Sequence, residues 1–364
     1  MRLPKGFLLS GINCGIKKDK KDLGLICCSS LAKAVGLFTT NANPCYSVLL
    51  SKKHINNPIK AVLTNSGNAN CCFGKNGLKD TELVVARTAK LLGVKKENIL
   101  FASTGIIGKQ LPVETIVRGL PQLVAHLGHT CDDFASSIMT TDTFRKISFA
   151  SCTGKTEESV ILGFAKGAGM IAPNMATMLS FVMTDAAIPA AYFKKIAKEA
   201  VEESFNAVTV DGCMSTNDTI FFLSSSQIPL NGKKGLEEFS RQLKHVCLDL
   251  AKMLVRDGEG ASKFVEIRVK GARTKKEARQ AGMFIANSNL FKCAVYGADP
   301  NWGRIVAALG HAGIPVKEDT VIHLSDLHQK EIIVTVDLKR GNCALTVYTS
   351  DLTPEYIKIN AEYS

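Results

Sequence analysis

The sequence predicts a mixed α/β fold, as three of its features indicate. Short apolar runs, typical of buried strands, alternate with longer stretches in which apolar residues recur at helical spacing. Turns rich in glycine, asparagine and proline separate the two kinds of segment. No internal repeat, low-complexity segment or linker interrupts this order, and 364 residues suffice for one large or two modest domains.

The composition is that of an ordinary globular protein, with 46% hydrophobic and 21% charged residues. No apolar run approaches the roughly 20 residues of a membrane span. The first residues lack the long apolar core and the small-residue cleavage site of a secretory signal. We therefore expect a cytoplasmic protein that does not contact membranes.

The formal net charge of +12, from 45 Lys and Arg against 33 Asp and Glu, first suggests a nucleic-acid-binding protein. The lysines, however, form short groups without interleaved aromatic residues, as on a solvated surface. These groups are Lys17, Lys18, Lys20 and Lys21, then Lys95 and Lys96, and then Lys275 and Lys276. A lysine-rich surface explains them, so we expect no nucleic-acid partner.

The twelve cysteines are spread from Cys14 to Cys343 without a CxxC pair, and the seven histidines do not lie at ligand spacing near them. Disulfide scaffolds are typical of short secreted chains and not of a long chain without a signal peptide. We therefore predict reduced thiols, most of them packed as small apolar residues. We also predict no metal site and no cofactor.

Eleven short apolar runs are bounded by turn residues and are predicted to be strands. Small polar residues follow two of these runs. NSGNAN, residues 65–70, is predicted to be a tight turn, and Ser103, Thr104 and Gly105 follow the next run. Small side chains at this second place let backbone N–H groups approach an anionic oxygen, so an oxyanion hole is a hypothesis there. The predicted strands cover residues 23–28, 34–40, 59–64, 99–102, 147–152, 160–165, 178–183, 220–223, 265–269, 331–338 and 344–348.

Five longer stretches repeat apolar residues at helical spacing and are predicted to be helices. Gly93 directly follows the first of them, as expected of a glycine at a helix C-terminus. Gly119 and Pro121 interrupt the second. The predicted helices cover residues 80–92, 113–127, 190–205, 236–255 and 275–291.

The segment 166–185 contains the main candidate for catalysis, Thr177. This threonine begins a predicted strand, after a Pro-Asn turn and the small residue Ala176. A hydroxyl in that position can attack its own preceding carbonyl, and the new N-terminal amine can then serve as base for the same hydroxyl. From this segment alone, however, a buried strand with a capping threonine is the favoured interpretation.

Nine motifs occur along the whole chain in the order of one family. Through them the chain resembles the ornithine acetyltransferases, the glutamate N-acetyltransferases of arginine biosynthesis. Because no single motif carries the resemblance, it is highly specific. The motifs are TTNAN (39–43), TNSGNAN (64–70), STGIIG (103–108), MTTDT (139–143), KGAGMIAPNMATML (166–179), DGCMSTNDT (211–219), DGEGASKF (257–264), GADPNWGRI (297–305) and KINAEYS (358–364).

The resemblance implies a layered α/β sandwich of the ornithine acetyltransferase and DmpA type, with a mechanism similar to that of N-terminal nucleophile hydrolases. It also implies that the chain cuts its own peptide bond between Ala176 and Thr177. The products would be an alpha chain of residues 1–176 and a beta chain of residues 177–364, with a C-terminal subdomain from about residue 235. The two chains would form one intertwined catalytic unit and assemble as an alpha2beta2 heterotetramer.

By the resemblance, Thr177 takes the acetyl group of N2-acetylornithine, releases ornithine and passes the acetyl group to glutamate in a ping-pong reaction. The free amine of Thr177 would have a reference pKa of about 7.7 to 8.0, so it can accept the hydroxyl proton near neutral pH. The sequence leaves open whether acetyl-CoA also serves as a co-substrate. Two alternatives stay open as well: a self-processing aminopeptidase or amidase, in which water takes the acyl group, and a basic binding protein without catalysis.

The resemblance further implies which residues form the site. Thr104 and Gly105 would form the oxyanion hole. Lys166 suits an α-carboxylate, while Glu259, in a loop between two glycines, is either a solvated carboxylate or a contact for an ammonium group. The implied substrate contacts are Thr140 or Thr141, Lys166, Thr177, Glu259, Asn360 and Ser364.

Three departures from the family's usual sequence bear on these contacts. Cys213 and Met214 remove a carboxylate and a hydroxyl from the polar loop of the DGCMSTNDT motif. Ser262 takes the place of a usual threonine. The tail ends slightly before the family's usual terminal residue, which bears on whether Ser364 reaches the substrate.

Overall fold

The computed structural model describes residues 2–72, 74, 76–172 and 178–362. The chain divides into two compact units and passes between them several times, so neither unit is one continuous segment. The sequence places the start of a C-terminal subdomain at about residue 235, and the last stretch of unit 2 begins at Ala251. Unit 1 comprises Met1–Gly167, Asn174–Ser204 and Met214–Leu250, and unit 2 comprises Ala168–Pro173, Phe205–Cys213 and Ala251–Ser364. Within each range, only the described residues are meant.

Unit 1 is built on an eight-stranded sheet. Its strands are β1 (Phe7–Ile12), β2 (Leu23–Phe38), β3 (Ile59–Asn68), β4 (Ile99–Ile106), β5 (Lys146–Thr153), β6 (Glu158–Lys166), β7 (Leu179–Ala187) and β8 (Thr219–Pro229). Their order is β4-β3-β2-β8-β7-β6-β5, with β1 beside β2. The β3–β4 and β7–β8 pairs are parallel, and the other pairs are antiparallel.

The long strand β2 joins the two halves of this sheet. Its first part pairs with β1 and β3, and its last part, from Lys33, pairs with β8. The sequence predicts two strands here, residues 23–28 and 34–40, and residues 29–31 between them are exposed in the structure. The structure joins them through an irregularity in the pairing with β3 between Cys27 and Ala32. Such a bulge lets one strand change partners without ending.

Within the described part of the chain, six α-helices belong wholly or partly to unit 1. They are α1 (Tyr46–His54), α2 (Gly77–Leu92), α3 (Val113–Ala125), α4 (Asp132–Ile138), α5 (Ala190–Glu202) and α6 (Gly232–Arg256), the last of which continues into unit 2. Because successive strand residues point to opposite faces, Leu63 and Phe101 pack with α2 and α3, while Val62 and Leu100 enter a second core. Burial on both faces explains why these strands are continuous apolar runs in the sequence.

The second core lies between the two halves of the sheet. It also contains aromatic residues of β6, β7 and β8, and Phe134 of α4 packs edge-on against Phe164 and Phe181 at 5.2 and 5.3 Å. On the far side of these strands, α6 approaches so closely that a Cβ on Gly163 would lie 2.7 Å from Leu250. Unit 1 therefore has a helix layer, two sheet layers and a further helix layer, and the predicted layered α/β sandwich is confirmed.

Unit 2 has its own four-stranded sheet, in the order β10-β11-β9-β12. The strands are β9 (Phe264–Ala272), β10 (Val321–Leu324), β11 (Glu331–Asp337) and β12 (Cys343–Ser350), and the helices are α7 (Lys275–Ala286), α8 (Asn289–Tyr296), α9 (Gly303–His311) and α10 (Pro354–Ala361). Only the β9–β11 pair is parallel. Ile267 of β9, Ile285 of α7 and Leu309 of α9 share the core of this unit.

The predicted helices and strands are all present, and two local differences add to the joined strand β2. The predicted helix 275–291 is divided, because Ser288 caps α8 by accepting a hydrogen bond from the Phe291 N–H, as serine often does at a helix start. The turn predicted at residues 65–70 is wrong in its first part, since β3 continues to Asn68. Ser66 in this buried strand has a hydrogen-bond partner, since its hydroxyl donates to the carbonyl of Ser137 at 2.6 Å.

The cysteines are free thiols, and six of the twelve are buried. Cys72, Cys213 and Cys293 are exposed, so the prediction of apolar packing holds for half of them. None of the helices in the described part of the chain is long and apolar enough to cross a membrane.

Candidate active site

The parallel strands β3 and β4 end side by side in a very close approach. Gly67 and Gly105 are paired, and both have positive φ, +96° and +134°. A Cβ on Gly105 would overlap the backbone of Gly67, so no other residue fits without parting the strands. The regular pairing is lost directly after this point, at Asn68. The predicted oxyanion residues therefore lie where the backbone departs from ordinary strand geometry.

Two predicted site residues meet at these strand ends. Lys166 is the last residue of β6, and its Nζ donates a hydrogen bond to Oγ1 of Thr104 at 3.1 Å. Both residues are buried, with exposed fractions of 2% and 5%. The fold thus brings together a lysine and a threonine that lie far apart in the sequence.

Asp142 links the MTTDT motif to the same place. Its carboxylate accepts hydrogen bonds from Lys146 Nζ at 2.6 Å, from the Gly167 N–H at 2.6 Å and from the Thr140 N–H at 2.9 Å. Burial opposes its ionisation, but the charges of Lys166 and Lys146 outweigh burial and lower the pKa of Asp142 to about 2. Asp142 is therefore an ionised carboxylate at neutral pH.

The predicted threonine contacts lie beside this carboxylate. Thr140 and Thr141 are half-buried between α4 and β5, and the Thr140 backbone is fixed by its bond to Asp142. The chain then turns into β5, whose first residue, Lys146, forms a fully buried ion pair with Asp142. The segment that carries both threonines is thereby held against Gly167, the residue after Lys166.

Asp218, near the end of the DGCMSTNDT motif, is a second buried carboxyl group. Its Oδ1 accepts a hydrogen bond from the Met178 N–H at 2.8 Å, and its Oδ2 has no hydrogen-bond partner among the described residues. Burial raises the pKa of Asp218 well above its usual range, against the opposing effects of the Met178 N–H and the Lys166 charge. These surroundings favour the neutral acid, directly beside the residue that follows Thr177.

Asn217 connects the motifs around this acid. Its Nδ2 donates to the carbonyls of Ala69 and Ser103, each at 2.7 Å. It therefore ties the end of the NSGNAN segment to the residue before Thr104. Thr39 of the TTNAN motif also donates a hydrogen bond, to the carbonyl of Ser215 at 2.8 Å. Hydrogen bonds therefore connect four motifs that are separate in the sequence.

Some predicted site residues are not covered. Ala176, Thr177 and Ser364 lie outside the described residues. Met178, the first described residue after Thr177, is buried and precedes β7.

Unit 2 brings together two predicted site residues, Glu259 and Asn360. Asn360 Nδ2 donates a hydrogen bond to Oε2 of Glu259 at 3.0 Å. Glu259 is half-buried, and its N–H donates to the carbonyl of Ala168 at 2.9 Å. A Cβ on Gly169 would clash with the Glu259 carboxylate, so this glycine permits the close contact. Glu259 is therefore an oriented carboxylate and not simply a solvated loop residue.

The departures from the family's usual sequence have visible contacts. Cys213 is exposed, and its N–H donates to Asp211, whose carboxylate also holds the Met170 N–H at 2.6 Å. Met214 accepts a hydrogen bond at its carbonyl from Asn41 at 3.2 Å. In unit 2, the hydroxyl of Ser262 donates to Asp351, the role that a threonine hydroxyl can also fill.

Lys17 belongs to the lysine group that the sequence predicts to be solvated, and that prediction is wrong for its side chain. Lys17 is half-buried, and its Nζ donates to the carbonyl oxygen of Met139 at 2.9 Å. Burial lowers the pKa of Lys17 to about 8, while the negative charge of Asp22 acts to raise it. The positive charges of Lys20 and Lys166 lower it further. Charge patterning along the sequence gives no signal of this burial.

The chain is similar to proteins of one kind over its whole length. A model of the ArgJ family matches residues 8–326 and 322–364. The arginine biosynthesis bifunctional protein ArgJ of Geobacter sulfurreducens is 44% identical, with 99% of each chain covered, and that of Chlorobaculum tepidum is 42% identical, with 99% of this chain and 96% of the relative covered. The solved ornithine acetyltransferase of Mycobacterium tuberculosis, complexed with ornithine, is 30% identical, with a TM-score of 0.41 over 47% of this chain and 92% of that chain.

Proposed function

Since this chain belongs to the ArgJ family of bifunctional acyltransferases of arginine biosynthesis, we propose that Thr177 carries an acetyl group from N2-acetylornithine to glutamate. The Thr177 hydroxyl attacks the acetyl carbonyl and ornithine leaves. The amine of glutamate then attacks the acetyl-threonine ester. One hydroxyl serves both half-reactions, so the kinetics are ping-pong.

The buried charges at the ends of β4 and β6 carry this proposal. Lys166 is an ammonium group held by the Thr104 hydroxyl and interacting with the ionised Asp142. Burying such groups costs folding free energy, and clusters of them are typical of functional sites. We assign the α-carboxylate, which N2-acetylornithine and glutamate share, to Lys166.

Thr177 obtains its base by self-cleavage in this proposal. Its hydroxyl attacks the carbonyl carbon of Ala176, the resulting ester is hydrolysed, and the beta chain then begins with the free amine of Thr177. That amine, with a reference pKa of about 7.7 to 8.0, accepts the hydroxyl proton. The hydrogen bond from the Met178 N–H to Asp218 supports this step, because it fixes the backbone directly after Thr177.

We assign the tetrahedral oxyanion to Thr104 and Gly105. The contact of Gly105 with Gly67 and the hydrogen bond of Thr104 to Lys166 support this, because both restrict movement of the strand end. Preorganised donors stabilise an oxyanion without reorganising during the reaction, and loss of one donor typically costs ~10²–10³ in rate.

The remaining substrate contacts are also proposals. Glu259, oriented by Asn360, suits the side-chain ammonium of ornithine, because an ionised carboxylate is the natural partner of that group. Thr140 or Thr141 supplies a hydroxyl, and Ser364 completes the set.

Three broader features of the family's members are proposed for this chain as well. We propose that the alpha and beta chains assemble as an alpha2beta2 heterotetramer in the cytoplasm. Because the relatives are bifunctional proteins, we also propose that acetyl-CoA can acetylate Thr177 in place of N2-acetylornithine.

Intact mass spectrometry tests self-cleavage. We expect two chains, an alpha chain that ends at Ala176 and a beta chain that begins at Thr177. Thr177→Ala should give one uncut chain without transferase activity, since both the cleavage hydroxyl and the nucleophile are lost. Thr177→Ser, which keeps a hydroxyl, is the matched control and should still be cut. A folded wild-type protein that stays at full length would contradict the proposal.

A product assay separates transfer from hydrolysis. The enzyme is incubated with N2-acetylornithine, with and without glutamate, and the products are identified by chromatography. We expect N-acetylglutamate and ornithine in equal amounts. Acetate as the main product in the presence of glutamate would instead indicate the amidase alternative.

A further inference from the structure

The loop that carries Lys17 is held rigidly by one carboxylate. Both oxygens of Asp22 accept backbone N–H groups, and the Asp22 carbonyl accepts the Ser66 N–H at 2.8 Å. The backbone of Lys17 is therefore fixed against the end of β3 before any ligand binds. The four N–H donors are those of Cys14 at 2.7 Å, Gly15 at 3.2 Å, Ile16 at 2.6 Å and Lys17 at 2.8 Å.

The Lys17 side chain crosses the paired glycines. A Cβ on Gly67, the partner of Gly105, would lie 3.1 Å from Cγ of Lys17. Its ammonium reaches the Met139 carbonyl, directly before Thr140. That bond uses one of the three donors of an ammonium group. The side chain thus runs from the oxyanion strands to the threonine motif.

The charges around this ammonium are unbalanced. Lys146 is paired with Asp142 at 2.6 Å, and Lys166, which also interacts with Asp142, is held by Thr104. Lys17 also interacts electrostatically with Asp22, with Asp142 and with the cations Lys20 and Lys166. Counting Lys146, four lysines therefore face two aspartates, one of which, Asp22, already accepts four backbone N–H groups. A ligand with two negative charges suits this surplus better than a ligand with one.

We propose that Lys17 binds the side-chain carboxylate of the acceptor glutamate and so selects a dicarboxylic amino acid as acetyl acceptor. This rests on the proposed function, which supplies glutamate as acceptor and assigns its α-carboxylate to Lys166. Glutamine has the same shape but an uncharged amide in that position, so it loses the charge-assisted hydrogen bond. Lys17 acts on binding and takes no part in bond making.

Lys17→Met tests the assignment in the cleaved enzyme, with N2-acetylornithine as donor. We expect the KM for glutamate to rise about tenfold or more, the usual effect of losing one charge-assisted hydrogen bond, while kcat stays within about threefold. The kcat/KM for glutamine should not fall, so discrimination between the two acceptors should shrink. A damaged fold would instead lower kcat/KM for both acceptors alike.

Two further variants make the test specific. Lys18→Met changes the neighbouring exposed lysine of the same loop and should leave both KM values unchanged. Lys17→Arg keeps the charge and should retain most of the affinity for glutamate. An unchanged KM for glutamate in Lys17→Met, or an equal loss with glutamine, overturns the proposal. If the wild type itself does not acetylate glutamate, the proposed function has failed and not only the role of Lys17.

Discussion

Asp142 and Asp218 are both buried aspartates of unit 1, and they differ in the donors around them. Asp142 accepts two backbone N–H groups and the ammonium of Lys146, with Lys166 also nearby in its electrostatic surroundings. Asp218 accepts one N–H, and its second oxygen has no partner within the described chain. The first environment lowers the pKa of the carboxyl to about 2, and the second raises it.

The comparison shows that burial alone does not decide the charge of a carboxyl group. Burial favours the neutral acid in both places, and only cations and several N–H donors reverse it. Asp142 therefore supplies a counter-charge to Lys146, whereas Asp218, with its raised pKa, accepts the Met178 N–H just before β7. Two buried aspartates of one unit can thus have pKa values shifted in opposite directions.

The largest effect is expected from Asp142→Asn. The substitution removes the carboxylate of the buried Lys146–Asp142 ion pair, which should lower the free energy of unfolding at pH 7 by about 3–5 kcal/mol. Urea denaturation measures this. Asp132→Asn, which removes only an exposed ion pair with Arg145, is the control and should change stability by less than about 1 kcal/mol. Equal losses in the two variants would mean that Asp142 is not an essential counter-charge.

A smaller effect is expected from acid. The pKa of Asp142 is about 2 in the folded protein, below the unfolded reference of about 3.9. Its stabilisation is therefore fully present above pH ~4 and is lost as pH falls towards 2, which amounts to about 2 kcal/mol. Denaturation midpoints of the wild type between pH 5 and pH 2 should show this loss. The midpoint of Asp142→Asn should fall less between pH 5 and pH 2, because the variant has no carboxylate to protonate. An identical pH dependence in the variant and the wild type would contradict this prediction.

The smallest effect, with the opposite sign, is expected from Asp218→Asn. Because the folded pKa of Asp218 is raised, its contribution is present below the unfolded value of about 3.9 and is lost as pH rises towards the folded value. Asparagine is uncharged and keeps an oxygen acceptor for the Met178 N–H. The variant should therefore match the wild type near pH 4 and be at least as stable at pH 8 in the same denaturation experiment. A clear loss at pH 8 would show that Asp218 is ionised.

The sequence predicts the elements well where their patterns are long. Helices such as α2 and α6 and the buried strands follow from periodicity, since each exposes one face or none. Several short elements were not predicted, because they contain too few residues to show a period: β1, β10, α1, α4, α9 and α10. The end of β3 was predicted as a turn because its polar side chains find their partners only in the folded protein.

The candidate site is predictable only in part for a related reason. The motifs identify Thr104 and Lys166, but their hydrogen bond depends on how β4 and β6 are placed in the sheet. Asp142 and Asp218 lie inside recognised motifs, yet the opposite directions of their pKa shifts depend on residues from elsewhere in the fold. The sequence does not indicate that the side chain of Lys17 is half-buried, because a lysine in a lysine-rich loop is normally solvated.

The length of β2 has a consequence for how unit 1 unfolds. One end of the strand pairs through Leu25 with one half of the sheet, and the other end pairs through Val35 with the other half. A continuous strand couples the two halves, so neither can open as an independent block. Amide hydrogen exchange should therefore give the same opening free energy at both ends of β2, equal to that of global unfolding of unit 1.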